Sequence, residues 1–113
     1  MKRDIKLYLK DMLDNIDRIE TFISNMSYDE FVEDEKTHLA VIRCIEIIGE
    51  ACKKIPENIR NRYSQIPWKV IAGTRDKLIH AYFKIDLEMV WKVIKIDIPS
   101  ITSALLDAYK SML

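Results

Sequence analysis

Seven apolar residues at alternating spacings of four and three run through the first quarter of the chain: Ile5, Leu9, Met12, Ile16, Ile19, Ile23 and Met26. That is an a/d seam over three heptads, the pattern of a helix packed lengthwise against other helices. It predicts a first helix over about residues 2–26, with Asp11, Asp14, Asp17 and Arg18 off the seam. With only 2 Gly and 3 Pro in 113 residues, there is little material for turns. A few long helices are therefore favoured over many strands.

The rest of the chain continues in the same manner. Ser27-x-x-Glu30 reads as a capping box opening a short helical turn with Phe31 and Val32. A second long helix is expected from Asp34 to Ile55, with Leu39, Ile42, Ile45, Ile48 and Cys52 as its apolar stripe and Pro56 closing it. Gly49 inside that helix costs about 1 kcal/mol against Ala and points to close approach by a neighbour. Pro56 to Tyr63 reads as one or two helical turns. Pro67 starts a third long helix that faces Trp68 and Ile71 inward. Asp86 is placed to cap the last helix, whose inner face carries Leu87, Val90, Trp91 and Ile94. Pro99 should kink or restart it near Asp97, and Ile101, Leu105, Leu106 and Tyr109 carry it to the end. No strand pattern or internal repeat is visible. The expected fold is all-α: an up-and-down bundle of four or five helices in one domain, residues 1–113.

Composition narrows the function. Eighteen basic residues balance eighteen acidic ones, so binding of nucleic acid by bulk charge is excluded and any such contact must be local. No segment reads as a signal peptide or approaches the roughly 18 apolar residues of a membrane span, so a cytoplasmic location is expected. Cys44 and Cys52 are separated by about 12 Å of helical rise, too far to bridge each other. Both read as reduced core residues. With two histidines far apart and no Cys-x-x-Cys, no metal site or cofactor is expected.

Chemistry concentrates between Trp68 and Tyr82. Arg75 carries a fixed charge, His80 exchanges a proton near neutrality, and Tyr82 offers a phenol. A guanidinium fork fits a phosphodiester, and an imidazole can take a proton from a ribose hydroxyl or give one to a leaving oxygen. Taken by type alone, such residues are more ordinarily a solvated arginine and a hydrogen-bonded structural histidine. Glu46 and Glu50, one turn apart, read either as a solvated face or as a support for Arg75 or His80 from the facing helix. Arg60 and Arg62 read as a solvated connector or as a phosphate-gripping rim.

Read as Arg-x4-His-x-Tyr, the triplet resembles the signature of the HEPN superfamily, in its HepT-like branch. Further segments resemble that branch in order: Ala40–Arg43, Ile47–Ala51, Ile66–Trp68, Ile71–Asp76, His80–Tyr82, Val90–Trp91 and Ile98–Pro99. Together they span about residues 5 to 110. One departure is Asp76, where the branch often carries Asn after the motif arginine. The resemblance implies an endoribonuclease with Arg75, His80 and Tyr82 as its catalytic residues and Asp76 beside them. It also implies a homodimer with two motifs at the interface, an RNA substrate, and a nucleotidyltransferase antitoxin that can adenylylate Tyr82.

Helical geometry poses a problem. At about 100° per residue, Arg75 and Tyr82 nearly share a face, while His80 lies about 140° round from Arg75. Either the helix ends or distorts near His80, or a second chain completes the site; the resemblance points to the second. Two functions follow from the residues. One is a metal-independent endoribonuclease, with His80 moving the proton, Arg75 holding charge on the phosphate and Tyr82 positioning it. The other is a non-catalytic helical module that binds a nucleotidyltransferase or a nucleotide.

Overall fold

A short polar residue with a side-chain oxygen opens most of the helices. The computed structural model describes residues 4–80 and 84–112, with the backbone alone at Arg75, Ile79, His80 and Lys84. Asp4 accepts from the Lys6 N–H and starts α1, Ile5–Phe22. The full capping box at Ser27 and Glu30 starts α2, Tyr28–Glu33, with bonds of 3.1 and 2.9 Å. Asp34 caps α3, Glu35–Lys53. Pro56 precedes α4, Glu57–Arg62, and Pro67 precedes α5, Trp68–Leu78. Asp86 accepts from the Met89 N–H at 3.0 Å to start α6, Leu87–Lys92. A π turn, Val93–Asp97, leads without a break into α7, Ile98–Ser111. The architecture is the expected all-α bundle.

The seam of α1 is buried as read, with Leu9, Met12 and Ile16 fully covered. It packs against α3 and α7, while α3 packs on its other side against α5. Phe31 of α2 is also fully buried, its ring 5.1 Å from that of Trp91 and 5.9 Å from that of His38. His38 Nδ1 lies 3.2 Å from the Phe31 carbonyl, so this histidine serves the fold.

Several expectations are corrected. The first helix begins at Ile5 instead of residue 2, and ends at Phe22 instead of 26. Asn25 takes a left-handed φ of 61°, which a short polar side chain tolerates, and reverses the chain ahead of the capping box. Leu39 is 47% exposed and Leu106 38% exposed, so neither belongs to an apolar stripe. In their place Val41, Cys44, Ala51 and Ala108 are buried. A short antiparallel ladder, Ile79–His80 (β1) with Lys84–Ile85 (β2), stands where no strand was expected.

Pro99 does not restart the last helical rod, one outcome expected from its position, but is accommodated by a widened turn ahead of it. Lacking an N–H, it cannot bond the Lys95 carbonyl. The chain widens one turn before it, and the Ile98 N–H reaches back five residues to the Val93 carbonyl. Proline then sits in the first turn of α7, where its missing donor costs least.

Candidate active site

The packing of α3 on α5 sets the frame. At Gly49 the two backbones come close: a Cβ there would lie 3.5 Å from the Ala72 carbonyl oxygen and 3.7 Å from that of Ile71. One turn along α3, the Cys52 thiol donates to the Trp68 carbonyl at 3.2 Å. As numbers rise in α3 they fall in α5, so the helices run antiparallel. Burial pushes the Cys52 thiol up to about 11 and raises that of Cys44 as well. Both cysteines are free, buried and protonated at neutral pH, as the sequence implied.

The start of α5 is pinned by Trp68. Its indole N–H donates to the carbonyls of Arg60 and Tyr63, each at 3.2 Å, and its ring is buried. This bond ties α4 to the motif helix and confirms Trp68 as core. From that anchor the helix runs to Leu78, fully buried, and stops. The sequence beyond is rich in β-branched and aromatic types: Ile79, Tyr82, Phe83 and Ile85. The Leu78 carbonyl accepts from the Asp86 N–H at 3.2 Å, and His80 pairs across the ladder with Lys84.

This placement resolves the angular problem. Arg75 lies in the last turn of α5, whereas His80 lies beyond its end on β1. The 140° separation therefore does not apply, and of the two alternatives it is the ending of the helix that holds within one chain. Tyr82 falls outside the described residues. Asp76 is exposed, next to Arg75 on the same helix.

The two carboxylates of α3 part company. Glu50 is exposed and pairs with Lys53 at 3.5 Å on its own helix, an interaction worth little in water. Glu46 is half-buried and one turn from Gly49, as Arg75 is one turn from Ala72 in the opposite direction. Along the antiparallel pair Glu46 and Arg75 are thus level with each other. On α4, Arg60 is half-buried and Arg62 exposed. Sequence reasoning missed Lys84 as the residue paired with His80; the β-prone run from Ile79 to Ile85 was the signal that could have found it.

Comparison with known proteins settles the lineage. The model of the family described as "Ribonuclease HepT-like" matches residues 12–107. The chain belongs to the HepT-like ribonuclease family. A Methanocaldococcus jannaschii protein named "Putative RNase MJ1216" is 52% identical over 100 residues, covering 88% of this chain and 83% of its own. A Thermococcus cleftensis protein named "Probable ribonuclease HepT" is 48% identical over 101 residues, covering 89% and 92%. The M. jannaschii "Gamma-glutamylcyclotransferase and putative RNase MJ0434" is 43% identical across 99% of this HepT-like chain, which spans 50% of that protein. No solved structure matches.

Among the described residues of this HepT-like chain, no three His, Cys, Asp or Glu side chains group as metal ligands would. Nor is any described helix long and apolar enough to cross a membrane.

Proposed function

We propose that this chain is a metal-independent endoribonuclease, the toxin of a cytoplasmic toxin–antitoxin pair. One observation carries the reading: in a HepT-like chain, a helix delivers Arg75 in its last turn and ends two residues before His80. His80 acts on the 2′-hydroxyl as base or on the leaving 5′-oxygen as acid. Arg75 holds the charge that builds on the phosphate, and Glu46, level with it, steadies the guanidinium. RNA suits the chemistry because its 2′-oxygen is a built-in nucleophile. The test is labelled RNA incubated with purified protein in EDTA, with the product ends analysed. Products ending in 2′,3′-cyclic phosphate are expected; a requirement for added Mg²⁺ would sink the reading.

The active form is a two-fold dimer with the two motif segments facing. Val70 on α5 is 55% exposed and Ile96 on the π turn 60% exposed, on elements that together line an apolar cavity of about 130 Å³ with Ile45 and Ile98. An isologous interface covering such residues typically buries about 1,200 Å² or more in total. Light scattering should give twice the chain mass at micromolar concentration. A monomer that still cuts RNA would remove the dimer from the mechanism.

The partner is a nucleotidyltransferase antitoxin that adenylylates Tyr82, two positions from His80. AMP there adds bulk and negative charge beside Arg75 and His80 and silences cleavage. Intact-mass analysis after co-expression should show added AMP on the peptide holding Tyr82. Full inhibition of an unmodified chain would replace this mechanism with neutralisation by complex formation.

A further inference from the structure

At the opposite end of α5 from the ladder, an open cleft of about 600 Å³ lies between α4 and the first turn of α5. Its polar lining is Glu57, Arg60, Asn61, Ser64 and Lys69; the remainder is apolar and includes Trp68 and, at its edge, the Val70 assigned above to the dimer face. Its volume is in the range of small-ligand sites. Part of this lining is of the kind that grips phosphate, two cations, an amide and a hydroxyl, set beside one carboxylate.

Arg60 is the telling residue. Its Nε is buried, without a hydrogen-bond partner among the described residues and out of reach of the opening, so the outer nitrogens of this half-buried side chain are the ones left to meet a ligand. Its backbone is fixed, because its carbonyl accepts from the Trp68 indole. The cleft is also faced by the start of α5. Helix geometry leaves the Lys69 and Val70 N–H groups outside the intrahelical ladder, and Pro67 before them has no side-chain acceptor to cap them. Arg60, Lys69 and the start of α5 thus border one opening.

We propose that this cleft is a second RNA-backbone subsite, in which Arg60, Lys69 and the first turn of α5 hold a phosphodiester away from the bond that is cut. It rests on the ribonuclease reading and extends it along the substrate. Lys69 and Arg75 are six residues apart on one helix, about 9 Å of rise and about 120° round it, so a strand that meets both crosses α5 obliquely. Net charge selects the ligand. Arg60 and Lys69 against Glu57 leave one positive charge, which suits the single negative charge of a phosphodiester. A terminal phosphate carries about −1.5 to −2 and would meet the Glu57 carboxylate at a deficit. Arg62, exposed and outside the cleft, has no part in it.

The probe is a single-stranded 2′-O-methyl oligoribonucleotide of about ten nucleotides, within the usual single-strand site size, which binds but lacks the attacking hydroxyl. Lys69→Glu and Arg60→Gln should each raise its dissociation constant about tenfold, and each should flatten the salt dependence by about 0.7 in log–log slope for the lost phosphate contact. Cleavage of a ribodinucleotide, too short to reach the cleft, should not change. Lys69 is exposed, so Lys69→Glu reports on the cleft even if Arg60→Gln disturbs folding. Unchanged affinity in folded Lys69→Glu, or no binding of the oligomer by the unmodified chain, overturns the subsite and leaves the ribonuclease reading standing. A mononucleotide competing at equal concentration also overturns it, in favour of a free nucleotide. If the oligomer binds with the expected variant effects while unmodified RNA stays uncut, the subsite holds and the ribonuclease reading fails.

Discussion

Replacing His80 or Arg75 by alanine should lower RNA cleavage by about 10² or more, in keeping with general acid–base and charge-stabilising contributions. The fold should survive both changes. Arg75 is followed on α5 by the exposed Asp76 and Lys77, and the residue that anchors the end of the helix is the fully buried Leu78. His80 enters the ladder through its backbone, which alanine retains. Circular dichroism should therefore be unchanged while turnover collapses. A substrate with 2′-deoxyribose at the scissile position should resist cutting, because the internal nucleophile is gone. Wild-type turnover by a folded His80→Ala variant would leave the motif with a binding role alone.

The largest expected effect on stability belongs to Phe31→Ala. Phe31 is fully buried between His38 of α3 and Trp91 of α6, and it is the buried residue of α2. Truncating such a ring costs about 3–5 kcal/mol. Domains of this size have about 5–15 kcal/mol in all, so about a fifth or more of the total goes. The melting temperature should fall by more than about 10 °C. A fall of only a degree or two would mean that α2 does not hold α3 and α6 together.

Much of this was legible in the sequence, for identifiable reasons. The seam of α1 was readable because it faces one wide contact surface, formed by α3 and α7. The capping box and the Asp86 cap were readable because each is a local bond between near neighbours. α3 was read too narrowly. Packed by α1 on one side and α5 on the other, it buries Val41, Cys44 and Ala51 beyond the single stripe. Leu39 failed because the cover at that end of α3 comes from Phe31, which packs on His38. Leu106 lies about 100° round from Leu105, on the side away from the core.

At the site, the residue types and their order were legible, and the place where the helix stops was not. The two-residue ladder is continued by the bond from the Asp86 N–H to the Leu78 carbonyl, a contact with no periodicity to announce it. The level placement of Glu46 with Arg75 likewise depends on how α3 slides along α5, which Gly49 hints at without fixing.

The widened turn before Pro99 bears on how chains of this architecture can differ in length. Val90, Ile94, Ile98 and Ile101 are all buried, at spacings of four, four and three. Eight residues from Val90 to Ile98 therefore cover two turns that an ordinary α-helix covers in about seven. The surplus residue is stored in the winding of the helix, and both flanking faces keep their aim. A relative with one residue fewer there, and no proline after it, could wind straight through and bury the same side chains. An alignment gap at that point would then record a change of helical pitch, with no loop gained or lost.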